Sequence, residues 1–417
     1  MCFNRQIPVL IDHLNQQLLE RTAKGLQRQR RTAMTACTPR QQVNGGPHAV
    51  GAQPRNLLGF CSNDYLGLAN HPALIEAIAE GARLYGAGSG ASHLVSGHSQ
   101  AHDALENLLA EWMSPAIPQA RALIFSTGYM ANLALLTALG DAQATIFSDK
   151  LNHASLIDGA MLAKAQVQRY PHGDLAALER QLQACSTPLR LIVTDTVFSM
   201  DGDRADLPAL LALAERYDAW LILDDAHGFG VLGPQGQGSL AHAELCSERF
   251  ILMGTLGKAA GIAGAFVAAH PVIIDWLMQT ARSAVFTTAA PPAIAHALLT
   301  SLHLIASEEG ARRRAVLQEH IGLLRSGLHT LIDQHPDLGW RLGASDTPIQ
   351  ALIIGDNAQS LALSNALDAQ GLWIPAIRPP TVPVGTSRLR ITLSAAHTAD
   401  DIRHLLAALH GIARDPT

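Results

Sequence analysis

Apolar residues fall into four regimes along this chain. Over residues 9–31, Leu10, Ile11, Leu14, Leu18, Leu19 and Leu26 recur at roughly helical spacing, which predicts an amphipathic helix with a basic end at Arg28, Arg30 and Arg31. Residues 32–55 are polar and rich in Gly, Pro and Gln, and read as a linker or extended arm. From Leu57 to Thr300, short apolar runs alternate with longer helical stretches. The runs are 122–125, 145–147, 189–195, 220–223, 250–254 and 263–268; the helices between them are 99–113, 131–139, 154–163, 207–217 and 271–283. Apolar strands alternating with helices predict an α/β fold with a mostly parallel sheet covered on both faces.

A long helix over 293–326 is expected to lead into a small α+β C-terminal region. Its strands are read at 350–354, 373–377 and 388–393, and its helices at 360–369 and 400–412. The expected organisation is an N-terminal helix and arm (1–56), a large domain (57–300) and a small C-terminal domain (301–417).

Composition narrows the function. Hydrophobic residues make up 48% of 417, enough for a large core, and a net charge of −5 gives no electrostatic case for nucleic acid. The five cysteines (Cys2, Cys37, Cys61, Cys185 and Cys246) are scattered and never paired as C-x-x-C. No disulfide framework and no metal site is therefore expected. Without a secretory-type start or a run long enough to span a membrane, the expectation is a cytoplasmic protein with no membrane partner.

There are four lysines. Lys24 and Lys164 read as solvated helix charges, and Lys150 follows Asp149, a neighbour that keeps it charged. Lys258 stands apart, in Gly254-Thr-Leu-Gly-Lys-Ala-Ala-Gly-Ile-Ala-Gly264, between two apolar strands among small residues. A desolvated amine loses its proton readily, as an imine-forming lysine must. The competing reading, a phosphate loop of the G-x-x-x-x-G-K-[ST] type, lacks its spacing.

Two carboxylates and a histidine follow the strand 220–223 in Asp224-Asp-Ala-His227. Ligands bind at that end of parallel strands. Asp224 is suited to pair with a protonated ring nitrogen, and His227 to bond a ring oxygen; a helix cap with an incidental histidine is the plain alternative. Ser126-Thr-Gly-Tyr-Met-Ala-Asn132 opens a helix with Gly128, a phosphate cradle if a phosphate is there. His153 follows the strand 145–147 and is placed to stack on a flat ring, although most single histidines do not.

Together, in this order, these elements resemble the α-oxoamine synthases, within the fold-type I pyridoxal-phosphate enzymes. The likeness runs from about Leu57 to the C-terminus. It includes Ser62-Asn-Asp-Tyr-Leu-Gly-Leu68, Gly86-Ala-Gly-Ser-Gly90, Val197-Phe-Ser-Met-Asp-Gly202 and Thr287-Thr-Ala-Ala-Pro-Pro292. Ala376-Ile-Arg-Pro-Pro-Thr-Val-Pro383 looks most like the members that condense L-alanine with a pimeloyl thioester in biotin biosynthesis, the acyl group arriving on coenzyme A or acyl carrier protein. Leu256 stands where the family usually has Phe, Thr287 or Thr288 where Ser is common, and residues 33–51 match nothing recognisable.

The resemblance implies pyridoxal 5'-phosphate as cofactor, held by Lys258 as a Schiff base and stacked by His153, with Asp224 at its ring nitrogen. It places His227 and Ser199 at the oxygen side, and Gly128, Tyr129 and Thr255 at the phosphate side, with Thr288 contributed from a second subunit of a homodimer. Substrate contacts fall to Arg390 (the amino-acid carboxylate), Thr381, Asn63 and an N-terminal arginine matched to Arg28. A sister enzyme using glycine or serine is the nearest rival, and a non-catalytic subunit of the same fold the next.

Overall fold

The computed structural model describes residues 9–28, 30–45 and 53–414. Its centre is a seven-stranded sheet in the order Arg121–Phe125, Ala265–Ala269, Phe250–Thr255, Ala219–Asp224, Leu189–Asp195, Ala144–Asp149, Gln166–Tyr170. Six strands run parallel and Ala265–Ala269 runs antiparallel between two of them. The inner strands are apolar and almost wholly buried, as a sheet covered on both faces requires. The mostly parallel sheet expected from the sequence is present. The edge strand Gln166–Tyr170 escaped notice because it pairs on one side only and its residues are largely polar.

Four neighbouring parallel strands end in register at one rim of the sheet. Asp195 lies opposite Asp224, and Asp224 opposite Met253. The rim therefore receives, side by side, the turns that carry His153, Ser199, Asp224 to His227, and Lys258.

Outside this sheet the chain departs from expectation in four places. The N-terminal helix spans Val9–Ala23 rather than 9–31, and Gly25 follows at φ 64°, a left-handed position that stops a helix. The polar stretch 32–55 contains strands. Thr32–Ala33, Arg40–Asn44, Arg55–Gly59 and Leu372–Trp373 form a four-stranded sheet, held at its edge by Arg31, which pairs with Asp368 at 2.5 Å and lies over the Trp373 ring. The helix expected over 293–326 is two, Pro292–Ala306 and Glu308–Gln334. Between them Ser307 is extended (ψ 175°) and accepts Glu309 N–H at 3.2 Å.

The C-terminal sheet has the order Arg341–Leu342, Ile349–Gly355, Ser387–Thr392, Ala376–Ile377. The run read as a single strand at 373–377 splits at Pro375 and serves two sheets. In the buried strand Ser387–Thr392, alternation puts Arg388 and Arg390 on one face. Arg388 pairs with Asp201, and Arg390 Nε donates to the Ser199 carbonyl at 2.5 Å. The small sheet is thereby docked onto the loop after Leu189–Asp195.

Candidate active site

Lys258 projects from the turn after Phe250–Thr255, and its Nζ lies 2.9 Å from His227 Nε2. His227 Nδ1 lies 2.5 Å from the Tyr65 hydroxyl, which donates to Asn63 Oδ1 at 3.2 Å. Asn63 Oδ1 also accepts from the Arg390 guanidinium at 3.3 and 3.4 Å. With Nζ as donor to Nε2, the imidazole carries its proton on Nδ1 and donates to Tyr65. The result is a continuous chain from Lys258 through His227, Tyr65 and Asn63 to Arg390.

Burial, with Arg390 adding to it, lowers the Lys258 ammonium to about 8 against the opposing pull of Asp224 and Asp195. At neutral pH an appreciable fraction of the amine is uncharged, the form that attacks a carbonyl. Burial, Lys258 and Arg390 hold His227 well below its ordinary range, so it stays neutral beside the lysine. Burial and the facing Asp224 raise Asp195 well above the usual carboxylate range. Two carboxyls side by side on adjacent strands do not both ionise readily.

Asp224 is 3% exposed and fixed by its neighbours: Oδ2 accepts from Asn132 Nδ2 at 2.7 Å, and Oδ1 from Ala226 N–H at 3.0 Å. Asp225, next in sequence, turns away to accept from Ser239 and Thr196 and serves structure. His153 caps the helix Ala154–Leu162, and its own N–H donates to Asp195 at 2.7 Å, which fixes where the ring leaves the backbone. Gly128 opens the helix Gly128–Leu139, capped by Thr127. The free N–H groups of that first turn can accept an anion. Tyr129 is exposed and its hydroxyl donates to Asp158. Thr255 donates to the Gly264 carbonyl at 3.2 Å, holding the two ends of the lysine turn together.

The structure thus brings Lys258, Asp224, His227, Ser199, Asn63 and Arg390 into one cluster, with His153 beside it. Arg28, Thr288 and Thr381 are exposed, and none makes a hydrogen bond to that cluster among the described residues. Thr381 lies in a loop whose Arg378 donates to the Gly25 carbonyl at 2.8 Å, so the arm bearing Arg28 and this loop are neighbours. Thr288 pairs with Ser92. Tyr65, Asn132 and Asp195 were assigned no role from sequence. The first two lie inside motifs quoted for the resemblance, which was the available signal.

A flat, phosphorylated pyridine aldehyde suits this donor set: a depressed lysine, a fixed carboxylate, a histidine at the rim and a capped helix start. A family model described as aminotransferase class I and II matches residues 55–409. The 8-amino-7-oxononanoate synthase 2 of a Polaromonas species is 69% identical over 98% of this chain and 100% of its own length. A solved structure described as SPT with PLP internal aldimine superposes with a TM-score of 0.87 at 26% identity, over 98% of this chain and 99% of that one. The structure of 8-amino-7-oxononanoate synthase from Francisella tularensis gives a TM-score of 0.72 at 30% identity, over 86% of this chain and 98% of that one. The chain belongs to the aminotransferase class I and II family, in the branch of the 8-amino-7-oxononanoate synthases.

Proposed function

We propose that this chain condenses L-alanine with a pimeloyl thioester, using pyridoxal 5'-phosphate, to give 8-amino-7-oxononanoate, carbon dioxide and the free thiol carrier, a step of biotin biosynthesis. The observation that carries the reading is the position of the buried Lys258 amine, 2.9 Å from His227 at the rim where Asp224 is held by Asn132 and Ala226. The names of the relatives supply the product.

When bound, the cofactor supplies a protonated ring that spreads the negative charge left on the α-carbon of alanine. Lys258 Nζ is the atom that would hold it covalently. Asp224 would pair with the ring nitrogen, His153 would lie on the ring face, and His227 with Ser199 would flank its oxygen. The N–H groups of Gly128 and Tyr129 and the Thr255 hydroxyl would take the phosphate, with Thr288 from a second copy.

Arg390 holds the alanine carboxylate, and Lys258, freed by alanine, takes the α-proton onto Nζ. The α-carbon then bonds to the thioester carbonyl and the carbon–sulfur bond breaks. The original carboxylate leaves as carbon dioxide, and Nζ returns the proton to the same carbon. Asn63, Thr381 and Arg28 face the acyl donor in this reading.

A homodimer in the cytoplasm completes the proposal. It is supported by the N-terminal helix, which exposes Val9, Leu10, Ile11, Leu14, Leu18 and Leu19. Among the described residues no helix is long and apolar enough to cross a membrane. Mass spectrometry of reactions pairing alanine, glycine or serine with pimeloyl, succinyl, acetyl and palmitoyl thioesters tests the reading. Product from glycine or serine, and none from alanine with pimeloyl-CoA or pimeloyl-acyl carrier protein, would replace it with a sister activity.

A further inference from the structure

Away from the lysine, His93, His98 and His102 converge where the chain enters the helix Gln100–Met113. One ring nitrogen of each lies within 4.8 Å of the others. A local device brings them together. His93–Gly97 forms a single π-helical turn, closed by Gly97 N–H to the Ser92 carbonyl at 2.9 Å. A side chain at Gly97 would put Cβ 2.0 Å from the Ala91 carbonyl oxygen, so the turn depends on glycine. Such turns are rare and concentrate at functional sites.

The turn brings His93 Nδ1 and His98 Nδ1 to 2.9 Å. Two ring nitrogens approach that closely only with a proton or a cation between them. His102 is fully buried, and its Nε2 donates to the Ala290 carbonyl at 2.9 Å. That leaves Nδ1 as the lone-pair nitrogen and fixes the ring, the arrangement that orients metal-bound imidazoles. His98 is exposed and gives a cation access.

We propose that His93, His98 and His102 form a binding site for a divalent transition-metal cation, Zn2+ foremost. Three imidazoles without a carboxylate select such ions over Mg2+ or Ca2+. Tetrahedral Zn–N bonds of about 2.0–2.1 Å set ligand nitrogens roughly 3.4 Å apart. Shifts of a few tenths of an ångström in the pair and a larger one at His102 reach that spacing. His102 Nδ1 also accepts Ser99 N–H at 3.1 Å, a helix-cap contact that the metal would exchange for its own bond. The bound ion would pin the turn to the segment 288–290, already joined to it by the Ser92–Thr288 bridge and by Ala289 N–H to the Ala91 carbonyl at 3.0 Å.

The test is titration of untagged, chelator-washed holoenzyme with Zn2+ by calorimetry, and with Co2+ by its visible ligand-field bands. One saturable cation per chain is expected. His93→Ala or His98→Ala alone should weaken it at least about tenfold, and the double variant should remove it. His102 stays untouched because it supports the helix start. No saturable uptake by the wild type, or uptake of equal strength in the double variant, overturns the site.

Discussion

Asn132 Nδ2 donates to Asp224 Oδ2 at 2.7 Å across 92 residues of sequence, and also lies 2.8 Å from Ser155 Oγ. The amide belongs to the helix that opens at Gly128, and the carboxylate ends the strand Ala219–Asp224. One contact therefore links the helix start proposed for the phosphate to the carboxylate proposed for the ring nitrogen. Asn132→Leu removes a buried charge-assisted hydrogen bond, worth about 1.5–3 kcal/mol. Cofactor affinity should fall roughly 10–150-fold. Affinity unchanged from wild type, measured by the rise of the cofactor absorbance band, would show that Asp224 is positioned without Asn132.

Asp224→Asn keeps the shape but loses the charge. The variant should fold and bind cofactor, yet turn over at least about tenfold more slowly, because a neutral amide stabilises a protonated ring nitrogen less. Wild-type turnover in steady-state assays would take Asp224 out of that role.

The Lys258 amine at about 8 belongs to the protein before cofactor attaches. Cofactor uptake by apoenzyme should accelerate as pH rises through about 8, since the neutral amine is the nucleophile. An inflection near the ordinary value of 10.5 would mean that the amine is solvated. Lys258→Ala should lose the absorbance band and essentially all turnover.

Gly261 has φ +72°, and a Cβ there would lie 2.7 Å from the Leu68 carbonyl carbon and the Ala69 nitrogen. It also donates N–H to the Lys258 carbonyl at 2.9 Å. Gly261→Ala should cost about 2 kcal/mol or more, from the left-handed backbone plus a main-chain clash. Urea denaturation would read this as a lower midpoint, and an unchanged midpoint would refute the packing account.

His172 sits between two carboxylates, 3.1 Å from Asp149 and 2.8 Å from Asp203, and these bonds raise it from 6.5 to about 10. The folded value exceeds the unfolded one. Its stabilisation is therefore fully present below about pH 6.5 and is lost as pH rises toward about 10. The stability gap between wild type and His172→Gln should be widest in acid and close with rising pH. A gap constant across that window would mean that the imidazole contributes packing alone.

Lys258, Asp224 and His227 were legible because each follows an apolar run, and parallel strands place such residues at a common rim. Tyr65 was not, because its function depends on a partner 162 residues away. The break at Ser307 was readable in principle, as a serine cap followed by Glu308 and Glu309 in the first turn of a new helix. Strand Arg40–Asn44 carries one buried side chain, Val43, so its pairing left little hydrophobic alternation to detect. The three histidines become neighbours only through a turn that no periodicity announces.

The parallel pairing of Leu58 with Leu372 and Gly59 with Trp373 bears on biogenesis. Arg55–Gly59 leaves the ribosome long before its mate, Leu372–Trp373. Until then the Arg55–Gly59 edge beyond Arg40–Asn44 waits with open amides and carbonyls, a surface on which a nascent chain can pair wrongly. Ribosome-stalled fragments ending before residue 372 should accordingly be cut by protease near residue 58, whereas the finished polypeptide resists.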